Sequence, residues 1–171
     1  MKKNNQKIRG FTLIEILLYL SLFVVVVLGS VAFIHTMFET NVKTKVILEA
    51  DNEAEHALAI IAQYVRNGVV IFSPNKNQTG DILIMQSLDE SQSPILFGII
   101  DDSIVMSTGG LSTTTLTSAN IKVSNLKFTN AGSVNGKDSI KISFKVNTQG
   151  ENKRQEYTYE KTYEATASLR N

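Results

Sequence analysis

The sequence of 171 residues predicts an α+β fold, in which one long N-terminal α-helix packs on an antiparallel β-sheet. Residues 11–66 keep a helical spacing of apolar side chains, and the first proline of the chain is Pro74. After Asn67 the apolar residues recur at every second position, which is the period of a strand. Because these strands follow one helix rather than alternate with helices, we expect a meander folded onto that helix.

The first part of the predicted helix has the length and composition of a membrane span. Residues 11–34 contain a single charged side chain, that of Glu15. The uncharged stretch from Ile16 to Ile34 is long enough to cross a bilayer as a helix, and we assign residues 11–38 to this segment. Four basic residues precede it, so the positive-inside rule predicts a cytoplasmic N-terminus and an exported C-terminal part.

The second part of the helix, residues 39–67, is predicted to be amphipathic. Its apolar side chains recur at steps of three and four and therefore share one face. The members of this stripe are Val42, Val46, Ala50, Ala54, Ala57, Ile61 and Val65. Arg66 and Gly68 are typical of a helix C-terminus, so we expect the helix to end there.

Residues 68–171 are predicted to form the exported β-sheet domain. Strands are expected at 81–85, 95–100, 103–106, 121–128, 140–146 and 157–169. Asp101 and Asp102 predict a tight reversal, and a change of phase predicts a bulge near Ser124 and Asn125. The polar stretches 112–118 and 147–155 are interpreted as loops. Lys161 interrupts the apolar face of the last strand and is expected to reach solvent at its rim.

Composition narrows the classes of function. The formal net charge is +1, but removal of residues 1–10 would leave 13 basic against 16 acidic residues, a net charge of −3. The exported part therefore carries no overall basic excess suited to phosphate backbones, although a local basic patch stays open as an alternative. The chain contains no cysteine, which excludes disulfides, thiolate metal sites and cysteine nucleophiles.

Two ordinary interpretations of the N-terminus compete with a more specific one. A plain membrane anchor would give no reason for Glu15, because a carboxylate in an apolar helix costs a few kcal/mol. A secretory signal peptide could be cleaved after Ser30-Val31-Ala32. However, Glu15 would then lie inside the apolar region of the signal, and apolar residues continue beyond the cleavage site to Phe38.

The arrangement Arg9-Gly10-Phe11-Thr12-Leu13-Ile14-Glu15-Ile16 closely resembles the N-terminus of the type IV prepilin family, which includes the pseudopilins of type II secretion. The resemblance implies that residues 1–10 are a cytoplasmic leader. A membrane prepilin peptidase would cut between Gly10 and Phe11, and the new amine of Phe11 would be N-methylated.

The resemblance also implies roles within a filament. Glu15 would pair with the Phe11 ammonium of an adjacent subunit and so set the axial register. Side chains that would pack the filament core are Leu13, Ile14, Leu17, Leu18 and Phe23. The implied partners are other pilin or pseudopilin subunits, the peptidase, an inner-membrane assembly platform, membrane lipid and an unknown extracellular ligand. The implied location is the cytoplasmic membrane, then a cell-surface or periplasmic filament.

Residues near the helix end and in the C-terminal half also look like the W-type minor pilins and the J-type minor pseudopilins. These segments are 64–66, 116–118, 123–128 and 166–170. Many major pilins have proline at the position of Ala32, and its absence here favours a minor subunit. Two functional classes stay open, namely a structural subunit of a pilus, pseudopilus or competence filament, and a displayed module that binds a surface, DNA or an exoprotein.

No catalytic constellation is apparent in the sequence. His35 and His56 lie far apart along the helix, and neither has a partner at ligand spacing. Gly109-Gly110 lacks the strand-to-helix setting of a phosphate loop, and the Ser/Thr-rich stretch has no partnered histidine. Tyr157, Tyr159 and Tyr163 share a face that is more typical of a core or interface than of a ligand site. We therefore predict no enzyme, no cofactor and no metal.

Overall fold

The computed structural model describes residues 12–110, 112–132, 137–148 and 158–170. The chain divides into two compact units, Met1–Asn41 and Val42–Asn171. A single helix, α1 (Leu13–Asn67), begins in the first unit and ends in the second. The predicted helix over 11–66 is thus confirmed for the residues that the structure describes, while Phe11 lies outside them.

In the first unit, the side chains of α1 are exposed. Leu13 is 78% exposed, and the large apolar residues from Ile14 to Phe38 are also largely uncovered. Helix α1 is the one element of the described ranges that is long and apolar enough to cross a membrane, judged by length and composition. These side chains therefore find no apolar partner within the described part of the chain.

In the second unit, α1 buries one face against the strands. Ala50, Ala54, Ala57, Ile61 and Val65 are fully buried and belong to the predicted stripe. Val42 and Val46, members of the same stripe nearer the first unit, are half-buried. Three of the fully buried residues are alanines, and such short side chains let the helix backbone approach the sheet closely.

Nine strands follow the helix in the described part of the chain. Their bounds are β1 Gly68–Ser73, β2 Thr79–Gly80, β3 Leu83–Ser87, β4 Ile95–Ile100, β5 Ser103–Thr108, β6 Ser112–Thr115, β7 Lys122–Asn130, β8 Ser139–Thr148 and β9 Tyr159–Ser168. A short 3₁₀ helix, Glu90–Gln92, connects β3 with β4. The strands form two antiparallel sheets with the orders β1-β3-β4-β5-β6 and β2-β7-β8-β9.

The fold class is confirmed, but several predicted details are wrong. The strands form two sheets rather than one. Residues 112–115 of the predicted loop 112–118 are a strand, because β6 pairs with β5 after a turn in which Gly109 and Gly110 have φ of 61° and 70°. Strand β1 starts directly after the helix, where no strand is predicted. The predicted loop 147–155 is shortened, since β8 continues to Thr148 and residues 149–157 lie outside the described ranges.

Other predicted elements are confirmed closely. Strand β4 has the predicted bounds, and Asp101 and Asp102 make the predicted reversal with φ of 49° and 59°. The register of β7 against β8 shifts between Ser124 and Lys127, where Asn125 has φ of 54°. Asparagine tolerates this left-handed conformation better than most residues, which is why a bulge forms there.

Candidate functional site

The first turn of α1 contains the carboxylate that the sequence singled out. The backbone N–H of Glu15 lies 3.4 Å from the hydroxyl oxygen of Thr12 and 3.1 Å from its carbonyl oxygen. Thr12 immediately precedes the helix and thus caps it, three residues before Glu15. This Thr-x-x-Glu spacing is that of a capping box and could have been found in the sequence, which makes Thr12 a residue that sequence reasoning missed.

Tyr19 is a second neighbour that sequence reasoning missed. Its hydroxyl lies 3.4 Å from Oε1 of Glu15, one helical turn further along. Because residues i and i+4 lie on the same helix face, the spacing alone could have indicated this contact. Among the described residues, no Lys, Arg or His side chain forms an ion pair with Glu15. Its negative charge is therefore left without a cation inside this part of the chain.

The polar hydroxyls of the apolar segment are satisfied within the helix. Ser21 donates to the Leu18 carbonyl at 2.8 Å, Ser30 to the Val26 carbonyl at 2.8 Å, and Thr36 to the Ala32 carbonyl at 3.1 Å. A polar group that has its partner within the helix can enter an apolar environment at low cost. Glu15 thus differs from the other polar residues of the segment, because its charge is not compensated in this way.

The five predicted packing residues are all on the exposed surface of the helix. They are Leu13, Ile14, Leu17, Leu18 and Phe23, and each is more than half exposed. A surface of this kind is stable in lipid or against other apolar helices, but not in water. Gly10 and Phe11, the predicted cleavage and methylation residues, lie outside the described ranges.

A polar cluster joins α1 to the edge strand β9 in the second unit. The Asp51 carboxylate accepts hydrogen bonds from the Tyr159 hydroxyl at 2.8 Å, from Nζ of Lys161 at 3.0 Å, and from the Tyr163 hydroxyl. The Tyr163 hydrogen bond, with those from Tyr159 and Lys161, holds the pKa of Asp51 below its ordinary value and outweighs the opposing effect of burial. Burial, followed by the hydrogen bonds of the Tyr163 hydroxyl with Asp51 and Tyr159, raises the pKa of Tyr163.

The cluster gives Lys161 and the tyrosines a structural role. Lys161 is exposed at the rim, as predicted, and its ammonium lies 4.8 Å from the centroid of the Tyr163 ring. Tyr159 and Tyr163 face the helix, and the Tyr163 ring packs on Phe144 with centroids 5.9 Å apart. The two hydroxyls are engaged, so this face is part of the packing between helix and sheet. Tyr157 lies outside the described ranges.

The remaining candidates do not assemble a catalytic or metal site. His35 lies 3.4 Å from Glu39 on the helix surface, and Lys122 lies 3.6 Å from Asp102 at the reversal. The described residues contain no group of three or more His, Cys, Asp or Glu side chains that could hold a metal ion.

Comparison with known proteins gives one finding at the N-terminus. Residues 5–31 match the family model described as the prokaryotic N-terminal methylation motif. No curated protein and no solved structure matches the chain.

Proposed function

We propose that this chain, whose N-terminal methylation motif supports its membership of the type IV prepilin and pseudopilin family, is a minor structural subunit of a filament. The motif marks it as a substrate of prepilin peptidase and as a protein that assembles with other pilin subunits. We further propose that the domain after residue 67 faces outward and that the filament is a type IV pilus, a type II secretion pseudopilus or a competence filament. We assign residues 1–10 to the leader, 11–38 to the membrane and filament-core helix, and 39–67 to its amphipathic half.

The observation that carries the proposal is the combination of Glu15 with an uncovered apolar helix. A carboxylate in a membrane-length helix is unfavourable unless a cation comes to it. Cleavage after Gly10 would create that cation as the ammonium of Phe11, and a neighbouring subunit would bring it to Glu15. The same contact would cover the exposed side chains of the first unit.

Cleavage can be tested by N-terminal sequencing and intact mass of the protein recovered from membranes. We expect the mature chain to begin at Phe11 with an N-methylated amine. Gly10→Asp should leave uncleaved precursor, because a side chain at this position would obstruct a narrow peptidase site. A mature end at Phe33 would refute the proposal and identify residues 1–32 as a secretory signal.

The role of Glu15 can be separated from processing by comparing variants. Glu15→Ala should be inserted and cleaved normally but should enter filaments poorly, because the ammonium of the neighbour is left unpaired at a cost of roughly 3–5 kcal/mol. Glu15→Gln keeps the shape and should be milder. Glu39→Ala removes a carboxylate just beyond the apolar segment and serves as the control. Wild-type yields of subunit crosslinks in the Glu15→Ala protein would contradict the register role.

A second candidate function is a displayed binding module. The observation in its favour is an open groove between α1 and β6, the last described strand of the first sheet.

A further inference from the structure

The groove lies in the second unit and has two adjoining cavities. The first, of about 610 Å³, lies between the last turns of α1, the β3–β4 connection and strands β5 and β6. The second, of about 550 Å³, continues beside α1 toward Asn52. Both are lined by Leu116, which directly follows β6. Along α1 the lining runs from Asn52 to Asn67, which is about four turns of the helix.

One wall of the groove is the edge strand β6. It pairs with β5 on one side, and it is the last strand of its sheet in the described part of the chain. Its sequence, Ser-Thr-Thr-Thr, contains no charge and no proline, and all four residues are exposed. Such an edge lacks the charges, prolines and bulges with which proteins usually block the addition of another strand.

The register of β6 shows which backbone groups face the open side. The Leu116 N–H donates to the Ile104 carbonyl at 2.8 Å and so points toward β5. Backbone groups alternate in direction along a strand, which turns those of Thr115 and Thr113 away from β5. The side chain of Thr114 lies on the cavity side, opposite Met106, another lining residue.

The larger cavity can receive an apolar side chain and hold the backbone that carries it. Ile60, Tyr64 and Leu88 contribute apolar surface, and Leu88 is 75% exposed at the rim. Gln63 and Asn67 contribute amides that form no hydrogen bond within the described residues. Among the described lining residues of this cavity Asp89 is the one charged group, and it already accepts hydrogen bonds from Ser91 and Gln92. The adjoining cavity is lined by His56 and by Glu53, whose carboxylate accepts a hydrogen bond from the Ser118 N–H. The larger cavity therefore favours a ligand without charge.

The loop that carries Leu88 is held in place before any ligand binds. The Ser93 hydroxyl accepts a hydrogen bond from the Ser87 N–H and donates one to the Ser87 carbonyl. The Asp89 N–H donates to the Ser87 hydroxyl. The Gly109 N–H donates to the carbonyls of Gln92 and Pro94, which ties this loop to the β5–β6 turn. A wall that is already ordered spares the ligand the entropy of ordering it.

We propose that this groove binds an extended, uncharged peptide segment of another protein. The segment would pair with the open edge of β6 and place one large apolar side chain in the cavity between Tyr64 and Leu88. Strand addition of this kind draws its affinity from backbone hydrogen bonds and its specificity from side-chain pockets. The proposal deepens the binding-module candidate and does not depend on filament assembly, because every residue in it lies beyond residue 51.

The test uses the full chain in lipid nanodiscs and a phage-displayed library of random heptapeptides, with empty nanodiscs for counter-selection. We expect enrichment of neutral peptides in which β-branched residues alternate around one Leu, Phe or Met. The most enriched peptide is then synthesised with a fluorophore, and its binding is measured by anisotropy.

Two variants at one position isolate the backbone contact. Thr115→Pro removes an N–H on the open side of β6. It should lower the affinity for the peptide about five- to tenfold, which is the effect of one lost hydrogen bond. Thr115→Val keeps that N–H while removing the same hydroxyl, and should bind as the wild type does. Gln63→Trp, at an exposed helix position on the cavity wall, should fill the cavity and also weaken binding. Circular dichroism checks that each variant is folded. If Thr115→Pro does not fold, Thr113→Pro, which also removes an N–H on the open side, takes its place.

Four results would overturn the proposal. These are the absence of enriched peptides, enrichment of charged ones, equal affinity of Thr115→Pro and Thr115→Val, and self-association of the chain that competes with the peptide. The last would identify a second copy as the occupant. Because cleavage after Gly10 and the Glu15 phenotype are measured separately, failure here would leave the subunit role standing.

Discussion

Substitution of Asp51 by alanine would remove the acceptor that ties α1 to β9. Tyr163 is only 6% exposed, so loss of Asp51 would leave a nearly buried hydroxyl without its main partner. An unsatisfied buried hydroxyl costs about 1–3 kcal/mol. Tyr159 is half-buried and Lys161 is exposed, so both side chains can form hydrogen bonds with water instead. The loss of their bonds to Asp51 therefore adds little to the destabilisation. We therefore expect a loss of about 2 kcal/mol in the free energy of unfolding, or about 6–10 °C in Tm.

The loss in free energy of unfolding on Asp51→Ala should become smaller at low pH. The pKa of Asp51 is held below its ordinary value of 3.8, so the folded state binds this proton less readily than the unfolded state does. Asp51 therefore contributes stability above its ordinary pKa, and this contribution declines as the pH falls through the lowered pKa. The stability of the wild-type protein should therefore move toward that of the Asp51→Ala variant as the pH falls below 3.8. Asp89, whose pKa is also lowered by its hydrogen bonds, is common to both proteins and cancels in the difference.

The assay is urea unfolding of the full chain in detergent micelles, followed by tyrosine fluorescence. The chain has no tryptophan, and four of its five tyrosines lie in the second unit, so the signal reports mainly on that unit. Glu55→Gln removes an exposed carboxylate one turn further along α1 and serves as the charge control. Equal unfolding midpoints of the Asp51→Ala and Glu55→Gln proteins at neutral pH, or a difference from the wild type that persists unchanged in acid, would refute the reasoning.

Three further predictions concern the second unit. A chain that starts at Thr40 should be soluble, monomeric and mixed α/β by circular dichroism, since the buried core lies beyond that residue; aggregation of this fragment beside a stable full chain would contradict the domain assignment. Gly68→Ala should lower Tm by several degrees, because a Cβ there would overlap Cε of Met85 and lie 3.2 Å from Cδ2 of Leu169. Overpacking of this kind is destabilising, and an unchanged melting curve would show that these side chains can move aside. At the bulge, where φ of Asn125 is 54°, a β-branched side chain is strained and glycine is not. Asn125→Val should therefore destabilise by about 1 kcal/mol or more and Asn125→Gly should not; equal urea midpoints for the two variants would contradict this.

Local pattern was sufficient to predict the helix and most strands. Alternation over 140–146 indicated β8, and the uncharged run over 95–100 indicated β4. The bulge in β7 could be located to the residue pair, because a bulge shifts the phase of the apolar residues that follow it. In β8 the alternate residues are buried, so one buried face determines their identity and the pattern can be recognised in the sequence. Strand β4 has no such alternation and was indicated by its apolar composition alone.

The elements that were missed depend on distant partners or on residues without a burial pattern. Strand β6 consists of Ser and Thr and buries none of them, so its identity comes from pairing with β5 alone. The division into two sheets depends on which strands are neighbours, and β2 pairs with β7, which is distant in the sequence. Asp51 contacts β9 more than one hundred residues later, so no local window contains both partners.

The contacts of Thr12 and Tyr19 stabilise the Glu15 carboxylate only in part. A carboxylate in the first turn of a helix gains about 0.3–1 kcal/mol from the helix dipole and its capping interactions. The same carboxylate costs about 2.5–3.5 kcal/mol at the centre of a membrane helix on insertion scales, and less near the interface. The Tyr19 hydroxyl, at 3.4 Å from Oε1, lies at the limit of a hydrogen bond and cannot supply the difference. Local contacts thus offset only part of the cost that Glu15 would meet in lipid, and they leave its charge without a cation. A cation from outside the chain would compensate this charge, and the freed Phe11 amine of a neighbouring subunit is the one that the proposed cleavage would generate.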